Sequence, residues 1–199
     1  MLTADDRNEI FNLPNLITIF RILLVPVLFV LLFFSPGKLQ SFFAGLVFSI
    51  ASISDCVDGY MARRMNLVTA FGKFMDPVAD KLLVGVALIM MVPLGRVPLW
   101  IVAVILGREI LVTLLRVVAI RKSHKVVEAS MTGKYKTGFQ IAAIIPLLLH
   151  YEYNLGLHYF DFSVDFHVVG MTFLYAALVL TIWTGVDYLY KFAKIFSNS

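Results

Sequence analysis

Six apolar runs divide the chain, at residues 16–34, 39–60, 75–94, 97–120, 135–151 and 166–190, each near the ~20 residues that cross a bilayer as helix. The pattern predicts an all-α integral membrane protein with six transmembrane helices. A β-barrel would show strands of ~10 residues with alternating apolar and polar positions, and that alternation is absent. Composition points the same way: 60% of the 199 residues are hydrophobic and the mean hydropathy is +0.86, too apolar for the surface of a water-soluble domain. The first run follows a leader with Asp5, Asp6 and Glu9 and lacks a small-residue cleavage site, so it reads as a retained helix rather than a secretory signal. No linker, low-complexity tract or repeat interrupts residues 1–199, which read as one membrane-embedded domain. The single Cys56 excludes an intramolecular disulfide.

Charge sets the orientation. Of the 17 Lys and Arg residues, only Lys38 and Arg96 fall on the side away from the amino terminus, and the loop at residues 152–165 has acids but no Lys or Arg. The positive-inside rule then places both termini in the cytoplasm and the chain in the cell membrane as a multi-pass protein. The net charge of +4 reflects topology and attraction to anionic membrane lipids, not nucleic-acid binding.

The informative departure from apolarity lies between residues 55 and 80, DCVDGYMARRMNLVTAFGKFMDPVAD. Asp55 and Asp58 are three residues apart at the end of the second run, and Asp76 and Asp80 are four apart at the start of the third. Each pair therefore shares a helix face, and the two pairs are expected to meet at one membrane level. Acids at bilayer depth are costly and mark function. Four facing carboxylates repel unless protons or cations neutralise them. Oxygen-only donors suit hard ions, Mg²⁺ or Mn²⁺, and four aspartates can bridge two ions ~3.5 to 4 Å apart. Paired hard ions in turn suit diphosphate chemistry. Gly59, Ala62 and Gly72 continue the same stripes and would let a bulky ligand approach the backbone.

The pattern DxxDGxxARx8Gx3Dx3D is met without departure by Asp55, Asp58, Gly59, Ala62, Arg63, Gly72, Asp76 and Asp80, and it resembles the defining motif of the CDP-alcohol phosphotransferases. NLPNLITIFR at 12–21, GKFMDPVADKLLV at 72–84, GREILVTLLR at 107–116 and GKYKT at 133–137 are similar to the branch of that family formed by the bacterial phosphatidylglycerophosphate synthases. The last run carries no such motif.

The resemblance implies the CDP-alcohol phosphotransferase fold, a homodimer and a polar cavity open to the cytoplasm. It implies that Asp55, Asp58 and Asp76 bind metal and that Asp80 touches a second ion and acts as the base. It also implies that Asn15 to Thr18, Gly59, Ala62, Arg63 and Thr69 hold the cytidine diphosphate part of CDP-diacylglycerol. Arg108, Arg116, Lys134 and Lys136 are the candidates for the acceptor phosphate. The implied reaction passes the phosphatidyl group to glycerol 3-phosphate and releases CMP.

Other readings compete. Arg108 and Glu109, ten or more residues into the fourth run, fit a structural ion pair bridging helices, with Glu109 orienting an arginine. Arg64 fits a positive-inside anchor, and Lys73 and Lys81 can simply offset the carboxylates. Cys56 fits a small buried hydrophobe, and the four histidines show no metal-ligand spacing. A cationic pocket suits a phosphorylated acceptor, glycerol 3-phosphate or an inositol phosphate, whereas serine needs no phosphate clamp and phosphatidylglycerol would make a lipid dimer. A divalent-cation transporter also buries acids, but broken helices and inverted repeats are missing.

Overall fold

The computed structural model describes residues 13–64, 70–123, 132–154 and 163–197; within them the side chains of 13–15, 56–64, 70–74, 76, 120–123, 132–134, 154 and 195–197 lie outside the description. Each apolar run falls on one helix: α1 Leu13–Phe33, α2 Lys38–Arg64, α3 Ala70–Met91, α4 Leu99–Ser123, α5 Thr132–Leu149 and α6 Phe166–Ser197. The apolar run marks only the part of each helix that needs no polar partner, so α2, α4 and α6 continue beyond it into charged turns.

Local chemistry sets several ends. Asp165 caps α6, its Oδ1 accepting from the backbone N–H groups of His167 at 2.9 Å and Val168 at 3.2 Å. At the start of α2 the Gln40 side-chain oxygen accepts from Gly37 N–H at 2.7 Å. The turn after α3 passes through Gly95 at φ +68°, a conformation that costs glycine least.

Neighbour relations close a ring, α1–α2–α5–α6–α4–α3 and back to α1, with α3 and α5 also touching across it. Leu28, Phe48, Leu88, Ile101, Ile144 and Leu174, one from each helix, are among the side chains that fill the interior. The outward faces are apolar too: Leu23, Phe34, Ile53, Ile110, Val179 and Trp183 are all exposed. In water so large an apolar surface would drive association; hydrocarbon removes that cost.

Two helical stretches, Leu16–Phe33 and Phe166–Lys194, are long and apolar enough to cross a membrane, and Tyr135–Leu149 is a shorter apolar helix. The other helices are interrupted by Asp55 and Asp58, by Asp76, Asp80 and Lys81, and by Arg108, Glu109 and Arg116.

The loop at residues 152–165 differs from the expectation of plain loop. Glu152–Asn154 (β1) pairs antiparallel with Ser163–Asp165 (β2), Tyr153 opposite Val164. Three-residue strands are too short to leave an alternation in the sequence.

Arg96, which the charge pattern puts on the side away from the amino terminus, is buried. Its Nη1 donates to the carbonyls of Leu148 at 2.7 Å and Leu147 at 3.4 Å, and its Nη2 donates to Ser41 Oγ at 2.7 Å. It thereby satisfies the last carbonyls of α5, which have no partner within the helix, and ties α2 and α5 to the turn between α3 and α4 at the end opposite Asp55.

Gly170 is where α5 and α6 come closest. A Cβ there would stand 2.6 Å from Leu147 Cγ and 2.9 Å from the Leu147 backbone N. Gly170→Ala forces the helices apart, and overpacking of this kind costs about 1–3 kcal/mol. The expected result is a lower midpoint of thermal unfolding in detergent, read by circular dichroism; an unchanged midpoint would show that α5 and α6 do not meet there.

Candidate active site

The site is assembled at the end of the bundle where α2 finishes and α3 begins. Asp55 lies on the last three turns of α2, with Asp58 three residues further on the same face, and Asp80 lies on α3 one turn after Asp76. Pro77, between the two α3 aspartates, lacks the N–H that would bond the carbonyl of residue 73.

Asp55 Oδ1 is 2.5 Å from Arg21 Nη1 of α1. The arginine side chain is 1% exposed and the aspartate 42% exposed, so a buried cation holds one oxygen of an acid whose remainder faces the opening. Thr18, one turn before Arg21, is buried on the same side of α1. Asp55, Arg21, Lys81 and Lys136 are all near enough to act on the charge of Asp80. Four helices therefore deliver two acids and three bases to one region.

Beyond Asp80 a cavity of about 350 Å³ opens between α3, α4 and α5. Asp80, Lys81, Glu109, Thr113, Thr137 and Gln140 supply its polar lining, and Val84, Gly85, Leu106 and Ile110 the apolar part. Lys81 Nζ donates to Thr113 Oγ1 at 2.5 Å, and Thr113 Oγ1 donates to the Glu109 carbonyl at 2.7 Å. Glu109 accepts an ion pair from Lys136 of α5 and lies 3.4 Å from Arg108 Nη1. Glu109 thus keeps the arginine expected from sequence and adds a lysine from another helix. Arg108 packs against Gly185 of α6, where a Cβ would come within 3.2 Å of Arg108 Cγ.

Three of the four expected acceptor residues have described side chains, and they border this cavity without lining it. Arg108 is next to Glu109, Arg116 is one turn after Thr113 and exposed, and Lys136 is next to Thr137 and buried. Of the remaining expected residues, Asn15, Asp58, Gly59, Ala62, Arg63, Asp76 and Lys134 sit on described helices, but their side chains lie outside the described residues; Thr69 lies outside them altogether. Among the described residues no three His, Cys, Asp or Glu side chains form one group, since the facing pairs are represented by Asp55 and Asp80 alone.

Sequence reasoning passed over Arg21, Thr113 and Gln140. For Arg21 the signal existed: an isolated arginine within an apolar run needs an acidic partner. Thr113 and Gln140 carried none, because a single neutral polar residue in an apolar helix ordinarily bonds within its own helix.

A profile of CDP-alcohol phosphatidyltransferases matches residues 11–183, which takes in every helix described above except the end of α6. The chain belongs to the CDP-alcohol phosphatidyltransferase family. It is 42% identical to the CDP-diacylglycerol--glycerol-3-phosphate 3-phosphatidyltransferase of Bacillus subtilis over 196 residues, covering 91% of this chain and 95% of that protein. It is 37% identical to the protein of the same name from Escherichia coli K12 over 183 residues, covering 90% and 93%. Phosphatidyltransferases of this family are membrane enzymes that use divalent metal ions.

The donor set fits such an ion. The described acids offer oxygen only, the Asp55 side chain is 42% exposed beside Arg21, and the charge of Asp80 is close by. Hard divalent cations favour this chemistry over sites with thiolate or imidazole.

Proposed function

We propose that the chain transfers the phosphatidyl group of CDP-diacylglycerol to glycerol 3-phosphate, giving phosphatidylglycerophosphate and CMP. The observation that carries this reading is Asp55 and Asp80, from facing helices, beside a cavity bordered by Lys81, Lys136 and Arg108. Acids on one side suit a metal-bound diphosphate; cations on the other suit a phosphorylated acceptor.

Asp55, Asp58, Asp76 and Asp80 would hold two ions, Mg²⁺ or Mn²⁺, which neutralise the charge of the donor diphosphate. Arg21 fixes the Asp55 carboxylate in one orientation. Asn15, Thr18, Gly59, Ala62, Arg63 and Thr69 position the cytidine diphosphate, while the acyl chains stay in lipid. Arg108, Arg116, Lys134 and Lys136 draw in the acceptor phosphate. Asp80 takes the proton from the terminal hydroxyl of glycerol 3-phosphate. That oxygen then forms a bond to the phosphatidyl phosphorus as the bond from this phosphorus to the bridging oxygen breaks, and CMP departs with the electron pair. Alignment of the two reactants and charge neutralisation supply the rate.

In the same reading residues 1–199 act as one domain that crosses the cell membrane six times, with both termini in the cytoplasm and two copies in a homodimer. Polar residues in α2, α3 and α4 are tolerated because they face the site.

The test is a panel of acceptors offered to the purified protein with CDP-diacylglycerol. Glycerol 3-phosphate is expected to give CMP and a phosphorylated lipid product. Turnover with serine, inositol phosphate or phosphatidylglycerol in its place would keep the family and overturn this acceptor.

A further inference from the structure

Among the described residues lining the cavity beside Asp80, Gln140 ends in a polar atom that no protein group satisfies. The residue is 5% exposed, and its Nε2 is buried without a hydrogen-bond partner. Three of its polar neighbours on the cavity wall are engaged: Lys81 with Thr113, Thr113 with the Glu109 carbonyl, and Glu109 with Lys136. A buried amide donor left unpaired is unfavourable, and native structures keep such groups rarely and for a reason. An oxygen-bearing ligand entering the cavity would satisfy it.

The chemistry of the group narrows the ligand. An uncharged N–H donor suits a neutral hydroxyl oxygen, whereas a phosphate is drawn to the cations that border the cavity. Gln140 stands one turn after Lys136 on α5, a rise of about 6 Å. A three-carbon phosphomonoester covers that distance with its phosphate toward the lysine and its hydroxyls toward the amide. The apolar wall of Val84, Leu106 and Ile110 offers no competing partner, so one amide can decide orientation.

Building on the phosphatidyl-transfer reading, we infer that Gln140 is a specificity-determining residue that donates from Nε2 to the hydroxyl of glycerol 3-phosphate that does not attack. This contact turns the terminal hydroxyl toward Asp80 and selects acceptors with two hydroxyls.

The experiment compares glycerol 3-phosphate with 3-hydroxypropyl phosphate, which lacks that hydroxyl, on the purified wild type and on Gln140→Met. The wild type is expected to favour glycerol 3-phosphate by about tenfold or more in kcat/KM. Gln140→Met should lose that preference by becoming worse with glycerol 3-phosphate alone, with its KM for CDP-diacylglycerol unchanged. Should the methionine variant be too unstable to purify, the uncharged Gln140→Leu carries the same comparison. Equal use of both acceptors by the wild type, or an equal loss with both in the variants, would overturn the inference while leaving phosphatidyl transfer in place. No turnover of glycerol 3-phosphate by the wild type would remove the parent reading and this one with it.

Discussion

Asp80→Asn is expected to bind CDP-diacylglycerol nearly as well as the wild type and to lose about 10²- to 10⁴-fold in kcat, the range that a positioned general base supplies. The amide keeps an oxygen donor and the volume of the side chain but cannot accept a proton from the acceptor hydroxyl. Asp80 is suited to that task by its place: it lines the cavity into which the acceptor would enter, and Asp55, Arg21, Lys81 and Lys136 surround it. The measurement is donor affinity beside single-turnover formation of phosphatidylglycerophosphate. Near-normal turnover in the variant would remove Asp80 from the role of base.

Arg21→Met should lower activity by 10- to 100-fold and raise the concentration of divalent cation needed for half-maximal rate, since groups that orient a metal ligand typically matter by that factor. The guanidinium is buried and lies 2.5 Å from Asp55 Oδ1. Without it the carboxylate is free to rotate, and solvent reaches it because it is partly exposed. For the same reason the fold itself should tolerate the change better than a fully buried pair would. The discriminating measurement is the cation titration of rate. A fall in rate with an unmoved cation requirement would mean that Arg21 acts elsewhere than through Asp55.

Much of the architecture was readable from the chain before any contact was known. Helix positions followed from apolar runs because length in hydrocarbon is a bulk property, insensitive to which neighbour each face meets. The ends were less readable: α2 extends to Arg64 and α6 to Ser197, since a helix can continue into charged turns once its apolar part is anchored. The spacing of Asp55, Asp58, Asp76 and Asp80 was enough to place two pairs on helix faces, because that inference needs only helical periodicity.

Partners across helices were not readable. Glu109 and Arg108 read as an ion pair bridging helices, but nothing in the sequence points to Lys136 of α5 as the partner across them. Arg96 reads only as a charge on the side away from the amino terminus, and its role in capping α5 and reaching Ser41 has no signal in the sequence. Gln140 gave no sign of its cavity. Each of these depends on which helix faces meet around the ring, which hydrophobic pattern alone leaves open when almost every face is apolar.

The most direct measurement of the central claim is formation of phosphatidylglycerophosphate from CDP-diacylglycerol and glycerol 3-phosphate by the purified protein, before and after removal of divalent cations with EDTA. Product is expected with Mg²⁺ or Mn²⁺ present, none after chelation, and full recovery when either ion is returned in excess. Undiminished synthesis in the chelated sample would contradict an active site built on these aspartates and the ions they hold.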